Sequence, residues 1–305
     1  MNTYLFNKQF NNKIMAFEFI TIFYIFINLI YEIDARKLNF YSEISIVIRG
    51  TGKQQILSEV DYPFYGDEEY EMPNQILVNG ILQNYTERYV YNLTNQINNI
   101  TMRWDIQMSN CNSMFEELTN IISVDLSKFD SSKIESFDSF FYKCNNIASI
   151  IITNLNTSFC KNMAGMFGYC DKLESLNLYS FDTSKVTSIE YMFAGCKSLK
   201  FLDLSNFNTL KTSETSSLFE LCSSLIFLNI KNFETSKVSS LSKMFYGVNE
   251  NLVYCADFTK ISKIKSLLTN YTNNCSKLCF ENPKSKIIFN KIECVDYCYN
   301  DNEYQ

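Results

Sequence analysis

The sequence predicts an α/β solenoid: a stack of coils, each made of one short parallel strand and one short helix. Two observations carry this. The first is a strict register, in which Phe115, Phe141, Phe167, Phe193, Phe219 and Phe245 follow one another at 26-residue intervals. The second is that each interval divides into halves of different periodicity. In LESLNLYSF, Leu176 and Leu178 alternate with Ser175 and Asn177, which is strand spacing. After the turn Asp182-Thr183-Ser184 come Val186, Ile189, Met192, Phe193 and Cys196, whose offsets of three and four place them on one helical face. A single unit buries too little to offset the entropy of ordering its backbone, so neighbouring coils must stack.

The elements follow in chain order. Residues 1–35 read as a secretory signal peptide: Lys8 and Lys13 precede the apolar run from Phe19 to Tyr31, and Ala35 offers a cleavage site. The run is short for a membrane span, which needs about 20 residues; the alternative is an uncleaved signal anchor. Residues 36–104 alternate apolar and polar positions (Ile44, Ile46, Ile48; Ile76, Val78; Ile100, Met102, Trp104) and predict a small β N-terminal cap region whose last strand starts the stack. Residues 105–255 form the repeats. Their apolar columns are Ile121, Ile147, Leu173, Leu199, Leu225 and then Val124, Ile150, Leu176, Leu202, Leu228. In residues 256–273, Ile261, Ile264, Leu267 and Leu268 predict an amphipathic capping helix, and residues 274–305 form a Cys-rich segment that ends without an anchor, as if truncated.

With these columns in place, the strand pattern LxxLxL and the interval length resemble the leucine-rich repeat. The string FDTSKVTSIEYMFAGCKSLKFLDLSNF is similar to the BspA-like repeats of bacterial and protist surface proteins. Two departures from the common consensus stand out: Phe129, Phe181, Phe207 and Phe233 replace an expected Asn or Cys, and most copies close with Met-Phe followed by Cys. The resemblance covers about half of the chain. It implies an adhesive, surface-exposed leucine-rich-repeat stack and transfers no ligand residue.

Composition narrows the function classes. The chain of 305 residues is 46% hydrophobic and 15% aromatic, which excludes a disordered chain. A net charge of -6 gives no basic footprint for nucleic acid. There is no His, so the commonest general base and metal ligand are both missing. Ser-Lys pairs such as Ser184-Lys185 and Ser236-Lys237 recur as turn residues, and Asp125 and Asp203 recur by register. No catalytic constellation emerges, and no enzyme activity, cofactor or metal is expected. The cysteines Cys144, Cys170, Cys196 and Cys222, with Cys111 and Cys160, occupy apolar columns and read as buried free thiols. Cys255, Cys275, Cys279, Cys294 and Cys298 remain as disulfide candidates in a secreted chain; a four-thiolate zinc site is the alternative for the last four.

The expected function is binding, to a protein or glycan ligand, through the exposed strand face of a secreted or cell-surface protein. Two outward columns define that face: Asp125, Ile151, Asn177, Asp203, Asn229 and Ser123, Ser149, Ser175, Phe201, Phe227, with Tyr179 beside them. Asp125, Asn177, Tyr179, Phe201, Asp203, Phe227 and Asn229 are the candidate contact residues, and the pair Phe201 and Phe227 is the sharpest feature because outward aromatics mark interaction patches. Alternative readings are a passive surface coat and the ectodomain of a receptor. Nucleic acid is not expected as a partner, and a membrane only through the signal anchor or a missing C-terminal segment. Asn84, Asn92, Asn99 and Asn270 are glycosylation candidates.

Overall fold

The computed structural model describes residues 42–59, 70–84, 86–269 and 271, and the backbone of short strands at 273–274, 286–288 and 293–295. All lie in the second of two compact units, Tyr41–Gln305; the predicted signal peptide falls outside the described residues.

The N-terminal part is a twisted antiparallel arrangement built on alternation. Strand β1 (Ser42–Arg49) buries Ile44, Ile46 and Ile48 and turns Glu43, Ser45 and Val47 outward. It pairs antiparallel with β6 (Ile97–Trp104), which buries Ile100, Met102 and Trp104. Strands β3 (Gln75–Val78) and β4 (Ile81–Leu82) extend the sheet from β6 through a hairpin whose turn residues Asn79 and Gly80 both have positive φ. Strands β2 (Gly52–Gln55) and β5 (Tyr89–Leu93) pair separately. Across the main sheet, the Glu43 carboxylate takes Arg103 at 2.7 Å and Lys128 at 3.0 Å.

The stack does not grow from β6. It grows from β1, which pairs antiparallel with β7 (Ile121–Asp125), the strand of the first coil. From β7 the direction changes: β8 (Ser149–Ile151) pairs parallel with β7 one coil away. The resulting sheet, ordered β4-β3-β6-β1-β7-β8, is mixed. A second sheet carries β9 (Phe201–Asp203), β10 (Phe227–Asn229) and β11 (Val253–Cys255) in parallel, closed by β12 (Asn273–Asn274). Coil three, residues 174–178, holds no strand, so the strand side is divided there. Strands β13 (Lys286–Ile288) and β14 (Glu293–Val295) form a separate pair.

The predicted helix in each coil is absent. Among the described residues the one α-helix is α1 (Lys265–Leu268), a single turn in the segment expected to form a longer capping helix. The fold is therefore almost entirely β and turn, and the α/β expectation is corrected. Backbone bonding gives the reason. Where a helix was expected, alternate N–H groups point to the next coil: those of Ser113, Phe115 and Glu117 donate to the carbonyls of Asp138, Phe140 and Tyr142. The intervening N–H groups of Met114, Glu116 and Leu118 donate back three residues, to Cys111, Ser113 and Phe115. The same pattern recurs with Ser139, Phe141 and Lys143, with Gly165, Phe167 and Tyr169, and onward to Ser217, Phe219 and Leu221. An α-helix would commit these donors within its own coil. The back-turns still place apolar residues three and four apart, which is the periodicity that reads as a helix.

The conformation needs left-handed residues four apart in every coil. Ser113, Ser139, Gly165, Tyr191, Ser217 and Lys243 form one positive-φ column; Glu117, Lys143, Tyr169, Gly195, Leu221 and Gly247 form the other. Non-glycine residues are strained there by roughly 1 kcal/mol each, an energy the intercoil bonds must offset. The core between the two sides is columnar. Phe115, Phe141, Phe167, Phe193 and Phe219 are fully buried, and the rings of Phe141, Phe167, Phe193 and Phe219 stack at 6.0–6.1 Å between centroids. Phe181, Phe207 and Phe233 make a second stack. Beside them, the Thr183 hydroxyl accepts the Asn208 N–H at 2.8 Å and donates to the Asn208 carbonyl at 3.1 Å; Thr157 and Thr209 repeat this one coil away.

Candidate functional site

The strand face places the candidate contact residues in three different environments. Phe227 and Asn229 are buried, each 1% exposed, so the expected outward aromatic pair is not a pair of exposed rings. Phe201, Asp203 and Asp125 are half-buried. Asn177 is exposed, and Tyr179 is 87% exposed, the most exposed large hydrophobic side chain described.

The polar members of the column have a local structural task. Asp125 accepts the Ser127 N–H at 2.8 Å, Asn177 that of Tyr179 at 3.1 Å, Asp203 that of Ser205 at 2.9 Å and Asn229 that of Lys231 at 3.2 Å. These are Asx turns that end each strand segment. Their recurrence in the sequence thus reports turn chemistry. Ile151 is the member of the column that lacks an acceptor, and it is 48% exposed. Tyr179 is exposed in the same region, at coils two and three where the strand side is divided, while Leu176 is partly buried and packed against the core. Ile151 was legible as the one aliphatic in an Asp/Asn column; the division of the sheet beside it had no sequence signal.

The described residues offer little reactive chemistry. Cys111, Cys144, Cys160, Cys170, Cys196 and Cys222 are buried and free. Burial raises every one of these thiols, Cys160 and Cys196 to about 12, which keeps them protonated and unreactive. Cys144, Cys170, Cys196 and Cys222 donate to the carbonyls of Phe115, Phe141, Phe167 and Phe193 at 2.8–3.4 Å, satisfying oxygens inside the core. No two described cysteines are bonded to each other. Cys255 is disulfide-bonded, and Cys275, Cys279, Cys294 and Cys298 lie outside the residues whose side chains are described. Among the described residues there is no group of three or more His, Cys, Asp or Glu that could hold a metal ion, and no helix long and apolar enough to cross a membrane.

Asn84, Asn92 and Asn99 are exposed in the N-terminal β region, Asn92 on β5 and Asn99 on β6. Asn270 lies outside the described residues.

Comparison with known proteins corrects the resemblance drawn from the repeat string. No curated protein and no solved structure matches the chain. One family model does, described as "Mycoplasma protein of unknown function, DUF285", at residues 85–152, 109–226 and 138–258. No leucine-rich-repeat or BspA family is found, and the alternating leucines that suggested one serve a coil without a helix. The overlapping matches together span 85–258, more than half of the 305 residues, and the chain belongs to the DUF285 family.

Proposed function

We propose that this is a binding protein without enzymatic activity, exported from the cell, which engages a protein partner through the strand side at coils two and three. The observation that carries the reading is the exposure of Ile151 and Tyr179. Tyr179 is 87% exposed and Ile151 48%, beside the division of the strand side, whereas the stacked Phe columns of the core are buried. Tyrosine supplies large contact area at low entropic cost, which suits a protein contact. Asp125, Asn177, Asp203 and Asn229 hold the turns that end their strand segments, Phe201 is half-buried and Phe227 is buried, so none of these forms the contact surface except the exposed Asn177.

The test is binding of the purified full chain to a panel of extracellular and cell-surface proteins, with Tyr179→Ser and Ile151→Asn beside the parent. Both variants are expected to weaken binding about tenfold or more, as hot-spot truncations do, with thermal unfolding not lowered. Binding that ignores both substitutions, or a panel with no binder, removes the proposal.

A further inference from the structure

One surface column differs from the strand side in both chemistry and position. Three residues after each Asp182-type turn position stand Lys133, Lys185, Lys211, Lys237 and Lys263, one per coil, with Phe159 filling the same place in the second coil. All five lysines are exposed. Successive coils pair as parallel β-bridges, so neighbours in a column lie about 4.8 Å apart along the stack.

The charge pattern of this column is unlike that of its neighbours. Elsewhere a lysine meets a carboxylate one coil away: Lys143 reaches Glu117 at 2.6 Å, Lys161 reaches Glu135 at 2.6 Å and Lys197 reaches Asp171 at 2.7 Å. In the Lys211-Lys237-Lys263 run the residue one coil away is another lysine, an arrangement that repels. None of the five lysines forms an ion pair among the described residues. The nearby carboxylates Asp130 and Asp182 accept turn N–H groups, from Ser132 at 3.0 Å and Ser184 at 2.9 Å, and also attract Lys133 and Lys185. At the far end Lys260 takes the Asp182-type turn position itself. A chain of net charge -6 therefore carries a row of lysines that form no intercoil ion pair among the described residues, with Lys185 over the Phe159 ring and Lys263 donating to the Val238 carbonyl at 2.6 Å.

We propose that this column binds a linear anionic polysaccharide running along the stack, with successive sulfate or carboxylate groups meeting successive lysines. The row matches a linear polyanion because an anion between two lysines relieves a repulsion built into the register. The flanking residues favour a sugar chain over other polyanions. Ser132, Ser158, Ser184 and Ser236 place hydroxyls along the row, and Phe159, 50% exposed with the Lys185 ammonium 4.2 Å above its ring, offers a flat apolar surface for one sugar face. A nucleic-acid strand would need a series of aromatic platforms, and the column has one ring. A membrane surface would need an apolar stripe beside the lysines, where serines predominate.

The experiment measures binding of the full chain to heparin, with uncharged dextran, poly(dT) and phosphatidylserine vesicles as comparison probes. Lys185→Ser, Lys211→Ser and Lys237→Ser together are compared with Lys143→Ser, Lys161→Ser and Lys197→Ser, which remove the same charge from paired columns. The first set is expected to weaken heparin binding about tenfold or more and to flatten its salt dependence, while the second changes it less than about twofold. Tyr179→Ser is expected to leave heparin binding unchanged, which separates this surface from the protein-binding one. Equal loss from both lysine sets, no heparin binding by the parent, or tighter binding to poly(dT) or to the vesicles overturns the proposal.

Discussion

The two sides of the coil stack are built from the same interval but tolerate variation differently. On the turn side, single-residue parallel bridges run without interruption from Asn110 through Ser136, Asn162, Ser188 and Glu214 to Ser240. On the strand side, β7 and β8 are separated from β9, β10 and β11 by coil three, which carries no strand. The turn side can run on because each coil bonds to its neighbours through N–H donors at fixed places, such as Glu135, Phe137, Ser139, Phe141 and Lys143 in one coil and Lys161, Met163, Gly165, Phe167 and Tyr169 in the next. The strand side contributes only three residues per coil to pairing in β8, β9 and β10, so one coil departing from register opens the ladder. Architecture is thus held on one side, and variable surface is presented on the other.

That comparison makes its strongest claim on the stacked phenylalanines. Phe193→Ala, inside the column, is expected to cost about 3–5 kcal/mol in denaturant unfolding, whereas Tyr179→Ala on the strand side costs less than about 0.5 kcal/mol. Similar losses from the two would erase the distinction. Thr183→Val keeps the shape but leaves the Asn208 N–H and carbonyl without their partner, and about 2 kcal/mol is expected to be lost, with Thr183→Ser recovering most of it. A cost equal to that of Thr183→Ser would show that packing, not bonding, decides this column.

Gly195→Ala sharpens the strain argument. At φ +68 the new Cβ would meet the Tyr169 ring at 2.5 Å, so a loss of about 1–2 kcal/mol is expected on thermal unfolding, although Lys143, Tyr169 and Leu221 hold the same column. A neutral result would mean that the column adapts freely. Ile151→Asn has the opposite sign: it supplies the missing Asx acceptor and is expected to stabilise by roughly 0.5 kcal/mol while weakening partner binding. The smallest effect concerns the junction of β1 with the coils. Burial raises the Glu43 pKa, but hydrogen bonds and charge from Arg103 and Lys128 more than reverse this and hold it below its ordinary value. Its contribution is therefore present above the carboxylate's unfolded pKa and fades as pH falls through the folded one. Glu43→Gln is expected to flatten that acid-side decline by less than about 1 kcal/mol, read from urea titrations at stepwise pH.

Much of this was legible in the chain. The interval, the buried Phe and Cys columns and the alternation of β1 and β6 all follow from side-chain pattern, because burial selects residues by face. The missing helix was not legible in the apolar offsets, since back-turns and helices space side chains alike. A signal was nevertheless present: Gly165, Gly195 and Gly247 fall inside the segments read as helical, where an uninterrupted helix would disfavour them. The contact face was misread in a different way. Asp125, Asn177, Asp203 and Asn229 recur because their side chains close turns, and Phe227 lies in a strand whose residues are all buried.

By itself the sequence determined that the chain is a register of stacked coils, and which columns face inward, because both depend on residue type at a fixed interval. Only the tertiary structure decided how each coil is traced and where the strand side divides. Those outcomes depend on whether a backbone N–H bonds within its own coil or to the next, a competition settled by the neighbouring coil and not by the side chain attached.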